Sequence, residues 1–85
     1  MYRTKTHKNK NIYISYLDKK ISIKILDITK DNILLLEGKT KKLLCLGDKT
    51  SFVFQGETID YHISSIYRQT IGLSISAPKN FVITK

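Results

Sequence analysis

Short apolar segments, each four to eight residues long and rich in β-branched and aromatic side chains, recur along the whole sequence. Eight such segments occur, at residues 12–17, 21–28, 33–37, 43–46, 52–55, 59–66, 70–76 and 81–84. Several alternate between apolar and polar residues, as at Ile21, Ile23 and Ile25, and the same spacing recurs from Ile59. A period of two predicts β-strands that bury one face.

Short polar connectors separate these segments, and most contain Gly, Asp or Asn, which favour tight turns. No stretch of ten residues repeats apolar positions with helical spacing behind a capping residue, so a long helix is not expected. The sequence therefore predicts an all-β fold of small antiparallel strands. In the last sixteen residues we expect two antiparallel strands joined at residues 77–80, with Pro78 in the turn because it lacks a backbone donor.

The second half of the sequence matches the first when the chain is shifted so that position 21 falls on position 59. Residues 21–46 then align without a gap with residues 59–84. The matched pairs include Ile21 with Ile59, Ile25 with Ile63, Ile28 with Ile66, Ile33 with Ile71, Leu35 with Leu73 and Lys41 with Lys79. We interpret this match as a duplication that divides one compact domain into a basic arm at 1–11, a first repeat at 12–47 and a second repeat at 48–85.

Charge indicates a polyanionic partner. Fifteen Lys and Arg against seven Asp and Glu give a net charge of +8, which favours nucleic acid first and an anionic membrane surface second. The arm at 1–11 contains four basic residues and no acid, and a short strand within it is one interpretation. Such a tail is also often only a solubilising end. Lys39, Lys41 and Lys42 cluster near a turn, where they either extend the basic surface or are simply solvated.

Several classes of function lack any supporting pattern. Cys45 is the single cysteine, which excludes an intrachain disulfide, favours a reducing cytoplasm and, in its apolar context, predicts a buried thiol. There is no signal peptide and no apolar run near the roughly 20 residues that span a bilayer. His7 and His62 have no partner at metal-ligand spacing, and no nucleophile motif is present. We expect neither an enzyme nor a cofactor.

Residues 56–85, GETIDYHISSIYRQTIGLSISAPKNFVITK, resemble the carbon storage regulator (CsrA) family, small bacterial proteins that bind messenger RNA. The most specific part is SAPK at 76–79, followed by Phe81, Ile83 and a final basic residue. The spacing of this turn from the preceding strands gives the match its weight. The first repeat resembles the family only through the internal match.

The resemblance implies two units that interlock and exchange edge strands, either as an intramolecular pseudo-dimer or as a strand-swapped homodimer. It also implies that messenger RNA binds at two basic edges, where the first and last strands lie side by side and grip a GGA sequence in a hairpin loop. Translation or message stability changes as a result. The resemblance together with the basic cluster near residue 40 gives the candidate RNA-binding residues Arg3, Thr4, Lys5, Lys41, Lys42, Lys79, Ile83, Thr84 and Lys85.

Departures from the family keep a second function open. The arginine that ends the family's last strand falls on Lys85, which keeps the charge but lacks the planar fork of a guanidinium. The corresponding position of the first repeat is Gly47, which has no charge, and the family's Thr-Arg-Arg segment is represented only by residues 3–5. The alternative is a protein-interaction module of the same fold that has lost specific RNA binding and pairs with a regulatory protein such as CsrA itself.

Overall fold

The computed structural model describes residues 1–85 and contains nine strands and no helix. The strands are β1 (Tyr2–His7), β2 (Asn11–Tyr16), β3 (Lys19–Ile28), β4 (Asn32–Glu37), β5 (Thr40–Cys45), β6 (Lys49–Phe54), β7 (Glu57–Tyr67), β8 (Thr70–Ser76) and β9 (Val82–Thr84). All pairings between them are antiparallel, so the predicted all-β class is confirmed. No helix that could cross a membrane is present.

The strands form two sheets that enclose one core. A four-stranded sheet has the order β1-β8-β7-β6, and a five-stranded sheet has the order β5-β4-β3-β2-β9. Alternate residues of the central strands point between the sheets, as period-two patterning requires. The buried core residues are Ile12, Ile14, Ile23, Ile25, Ile28, Ile33, Leu35, Leu44, Ile59, Tyr61, Ile63, Ile71, Leu73 and Ile75.

The first eleven residues contribute a strand to this sandwich. β1 pairs with β8 along its whole length, from Tyr2 opposite Ile75 to His7 opposite Thr70. Thr6 of β1 is buried, although the segment is mostly polar. The region that the sequence predicts as a basic arm is therefore largely part of the four-stranded sheet.

The strand boundaries repeat with the same shift as the sequence match. The strands β1, β2, β3 and β4 begin at positions 2, 11, 19 and 32, and their counterparts β5, β6, β7 and β8 begin at positions 40, 49, 57 and 70. The irregularities in strand pairing repeat as well, between Ile25 and Asp27 in β3 and between Ile63 and Ser65 in β7. The four-strand repeat thus begins at β1.

The two four-strand units exchange their first strands. β1 pairs with β8 of the second unit, and β5 pairs with β4 of the first unit. The registers are equivalent: Tyr2 lies opposite Ile75, and Thr40 lies opposite Glu37. Each sheet therefore contains three strands of one unit and the first strand of the other, and the five-stranded sheet contains β9 in addition. Neither unit has a complete sheet by itself.

The expectation for the last sixteen residues was wrong. β8 and β9 do not pair with each other, because the chain crosses from the four-stranded to the five-stranded sheet between them. β9 pairs with β2 in the register Tyr13↔Thr84, Ile14↔Ile83 and Ser15↔Val82. Phe81 anchors the crossing: its ring stacks on Tyr16 with centroids 4.5 Å apart and meets Phe54 edge-on at 6.0 Å. This aromatic contact holds β9 away from β8.

Equivalent core positions should be of similar importance to stability. Ile25 and Ile63 occupy matching positions in the two units and are both fully buried. We expect Ile25→Ala and Ile63→Ala each to lower the free energy of unfolding by about 2–4 kcal/mol, through lost transfer energy and the cavity left behind. Because the units share sheets, each variant should still unfold in one transition.

Urea unfolding followed by circular dichroism measures both quantities. Leu46→Ala is the control, since this side chain is exposed and its loss should change stability by no more than about 0.5 kcal/mol. Two separate transitions, or a loss below about 1 kcal/mol in only one of the two core variants, would contradict the shared core.

Candidate nucleic-acid interface

One edge of the sandwich is built from strands of both sheets. β1 is an edge strand of the four-stranded sheet, and β9 is an edge strand of the five-stranded sheet. Lys85 Nζ, just after β9, donates a hydrogen bond to the backbone carbonyl oxygen of Lys5 in β1 at 3.0 Å. We call the surface formed by residues 1–11, Tyr13 and 79–85 the β1–β9 edge.

The β1–β9 edge brings together most of the candidate residues from both ends of the chain. Arg3 and Lys5 are exposed on β1, and Thr84 and Lys85 are exposed at the end of β9. Thr4 and Ile83 are only half exposed, and Ile83 packs against the core opposite Ile14. Ile83 therefore holds β9 in place while the polar and charged side chains around it face solvent.

A groove at one end of this edge is lined by basic and neutral polar side chains, with no Asp or Glu. Its lining residues are Lys5, Thr6, His7, Asn9, Lys10, Asn11, Tyr13 and Lys85. Several of these come from the turn between β1 and β2, which the register of β9 brings next to Lys85. Three ammonium groups around one groove produce a positive potential that attracts phosphates. The Tyr13 ring adds a flat surface, with Lys20 Nζ 5.2 Å from its centroid.

Several of these groove residues are not identifiable from the sequence. The sequence raises only metal binding or catalysis for His7, and it gives no reason to assign binding to Asn11 or Tyr13. Their proximity to Lys85 depends on the pairing of Tyr13 with Thr84, which joins opposite ends of the chain. No local pattern encodes that pairing.

Lys79 lies at the other end of the same edge. It is exposed in the connection between β8 and β9, and with Pro78 it lines a small, mainly apolar groove. Tyr2 of β1 and Ile83 of β9 contribute to the same groove. Lys79 therefore lies beside Tyr2 and Ile83 on the β1–β9 edge.

Lys41 and Lys42 lie on the opposite edge of the five-stranded sheet, on β5. Lys41 is exposed on the outer face. Lys42 points inward: its Nζ lies 2.9 Å from Glu37 Oε1 and donates to Thr50 Oγ1 at 2.8 Å. A third, longer contact of 3.4 Å reaches the carbonyl oxygen of Ser51. The charge of Lys42 is therefore compensated internally, and we leave this residue out of the proposed RNA surface.

A buried polar network surrounds Lys42. Tyr61 Oη donates a hydrogen bond to Glu37 Oε1 at 2.8 Å, and Glu37 is only 8% exposed. Burial raises the pKa of the Tyr61 hydroxyl far above its ordinary value, and the hydrogen bond to Glu37 and the negative charge of Glu37 add to this effect. The buried carboxylate thus receives one neutral and one charged donor, as burial of a charge requires.

The prediction that the Cys45 thiol is buried was wrong. The thiol is exposed, because position 45 faces outward on β5, and its Sγ lies 2.8 Å from Asn32 Oδ1. The apolar neighbours suggested burial, but alternation along β5 turns Leu44 inward and Cys45 outward. No group of three or more His, Cys, Asp or Glu side chains is arranged to hold a metal ion.

No protein-family model matches the chain, and neither a curated protein nor a solved structure matches it.

Lys42 and its neighbour Lys41 should differ sharply in their effect on stability. We expect Lys42→Ala to lower the free energy of unfolding by about 2–3 kcal/mol, because it leaves the buried Glu37 carboxylate without its cation. Lys41→Ala removes an exposed side chain and should change stability by less than about 0.5 kcal/mol. Denaturant unfolding at pH 7 measures both, and equal losses would argue against the internal role of Lys42.

The raised pKa of Tyr61 predicts a loss of stability at alkaline pH. The folded protein retains this proton at pH values where the unfolded chain loses it. The contribution of Tyr61 to the free energy of unfolding is therefore complete below about pH 10, the ordinary tyrosine pKa. This contribution is lost as the pH rises towards the raised pKa. Tyr61→Phe removes this dependence and costs about 1–2 kcal/mol at pH 7, since Glu37 loses a donor.

Unfolding curves between pH 8 and pH 11.5, chosen to bracket the ordinary tyrosine pKa of about 10, compare the wild type with Tyr61→Phe. Above pH 10 the free energy of unfolding of the wild type should fall more steeply than that of the variant, by up to about 1.4 kcal/mol per pH unit. Parallel curves for the two proteins would refute the assignment.

Proposed function

We propose that this protein is a CsrA-like RNA-binding regulator that binds GGA-containing messenger RNA and alters its translation or stability. The observation that carries the proposal is the contact between Lys85 Nζ and the carbonyl oxygen of Lys5, which joins β9 to β1 at a cationic edge. The resemblance of residues 56–85 to the family implies such an edge between the first and last strands.

The strand order supports the same proposal. In the family the two units interlock and exchange edge strands, and here β1 and β5 are exchanged between the four-strand units. A single chain of this kind corresponds to the intramolecular pseudo-dimer that the internal match implies.

Two kinds of group at the β1–β9 edge are suited to single-stranded RNA. The ammonium groups of Lys5, Lys10 and Lys85 attract phosphates, with a contribution to affinity that falls as salt rises. Edge strands also present unpaired backbone N–H and C=O groups, which can bond to the edges of unstacked bases. Phosphate contacts position the RNA, and base contacts confer the preference for GGA.

The proposal assigns one RNA site to each chain. At the opposite edge, Lys42 is paired with Glu37, and Gly47 takes the place that Lys85 has in the second repeat. Lys41 is the remaining exposed cation of β5, and no counterpart of Lys85 accompanies it. A hairpin bound at the β1–β9 edge would therefore saturate the protein at a ratio of one to one.

The test is binding of a labelled RNA hairpin with GGA in its loop, compared with the same hairpin with GGA scrambled, at physiological salt. We expect the wild type to prefer the GGA hairpin by at least about tenfold, as good base contacts provide. Lys85→Ala should weaken binding of the GGA hairpin by about tenfold. Lys41→Ala, which removes an equal charge from the opposite edge, should change it less than about twofold.

Other outcomes distinguish the alternatives. Equal and strongly salt-dependent binding of both hairpins would indicate a general polyanion binder without sequence preference. Absence of RNA binding would favour the protein-interaction module. Lys85→Arg tests the role of side-chain geometry, because a guanidinium restores bidentate hydrogen bonding and should increase the preference for GGA over the scrambled loop.

A further inference from the structure

The equivalent strands β2 and β6 have different surroundings. They begin at Asn11 and Lys49 and occupy the same position in their units. β2 is paired on both sides, with β3 and with β9. β6 pairs with β7 alone and is the edge of the four-stranded sheet. The pairing of β9 with β2 therefore shows how an additional strand could pair with the equivalent strand β6.

The backbone of β6 offers hydrogen-bonding groups on its free side. Ser51 and Val53 are the counterparts of Tyr13 and Ser15, which pair with β9. The Ser51 carbonyl oxygen accepts the 3.4 Å contact from Lys42 Nζ, so it points away from β7. Because bonding directions alternate along a strand, Val53 presents its N–H and C=O on this free side as well. These two residues can form the ladder that Tyr13 and Ser15 form with β9.

The side chains of β6 also leave apolar surface uncovered. Val53 is 71% exposed. Phe52 is half exposed, whereas its counterpart Ile14 is fully buried opposite Ile83 of β9. A strand added to β6 would place one side chain against Phe52 in the way that Ile83 lies against Ile14. The strand that pairs with β6 should therefore carry an aliphatic side chain opposite Phe52.

We propose that β6 binds an extended segment of an acidic partner protein as a fifth, antiparallel strand of the four-stranded sheet. The segment carries an aliphatic residue opposite Phe52 and acidic residues on its flanks. Lys49 is exposed at the start of this edge and attracts such a flank. A second copy of the chain fits less well, because each copy carries a net charge of +8.

Lys42 contacts the free side of β6 but does not prevent a strand from pairing there. A lysine at an exposed edge discourages unselective strand pairing, and here its ammonium group contacts the Ser51 carbonyl. The contact is its longest one, at 3.4 Å, compared with 2.9 Å to Glu37 and 2.8 Å to Thr50. An incoming backbone N–H can replace it while Lys42 keeps both of its shorter contacts.

The experiment titrates the ¹⁵N-labelled full chain with a synthetic peptide, Glu-Asn-Phe-Val-Ile-Thr-Glu, which presents residues 80–84 between glutamates. We expect saturable shifts of the amide signals of Ser51, Phe52 and Val53. Val53→Pro removes the outward donor but no bond to β7, and it should weaken binding at least about tenfold. Val53→Thr keeps the donor and should bind within about twofold of the wild type.

A control peptide with proline in place of its valine should not bind, because this residue lies opposite Val53 and proline lacks the N–H that bonds to the Val53 carbonyl oxygen. Thermal unfolding of Val53→Pro verifies that the variant is folded. The proposal is overturned if the wild type shows no saturable shifts, if Val53→Pro binds like the wild type, or if the shifts fall on residues 13–15, where the peptide would have displaced β9. Concentration-dependent dimerisation that Val53→Pro abolishes would assign the edge to a second copy instead.

Discussion

The two units exchange their first strands, and this exchange completes both sheets. Without β1 the sheet of the second unit would end at β8, and without β5 that of the first unit would end at β4. Three strands per unit would leave inward-facing isoleucines uncovered. The exchange closes one common core, and it also carries the basic residues of β1 to the side where β9 lies. The cationic edge is therefore a consequence of how the core is completed.

Local pattern was enough to predict most strands, because buried isoleucines alternate with polar residues along β3 and β7. It was not enough for β1, whose inward side chains after Tyr2 are threonines that carry no hydrophobic signal. The sheet assignment of β9 was also beyond local pattern, since it depends on Phe81 meeting Tyr16 and Phe54. For the candidate site, charge identified Lys5 and Lys85 but could not separate Lys41 from Lys42, which face opposite sides of one strand.

The two halves share a backbone plan but have different interiors at one point. Glu37 and Tyr61 occupy the positions that Ile75 and Ile23 have in the other unit. A hydrogen-bonded pair therefore replaces an apolar contact in one half only, and Lys42 is drawn inward to complete it. Lys42 therefore neutralises the buried Glu37 and does not add a free cation to the surface.

The connection between β4 and β5 is only Gly38 and Lys39, and Gly38 adopts the positive φ of 60° that this tight turn needs. These two residues join the end of one unit covalently to the start of the next. In a dimer of separate chains, the same strand exchange would depend on protein concentration and would be lost on dilution. Here the exchange is intramolecular, so its effective concentration is fixed by the chain. A copy present at a few molecules per cell would still be fully assembled.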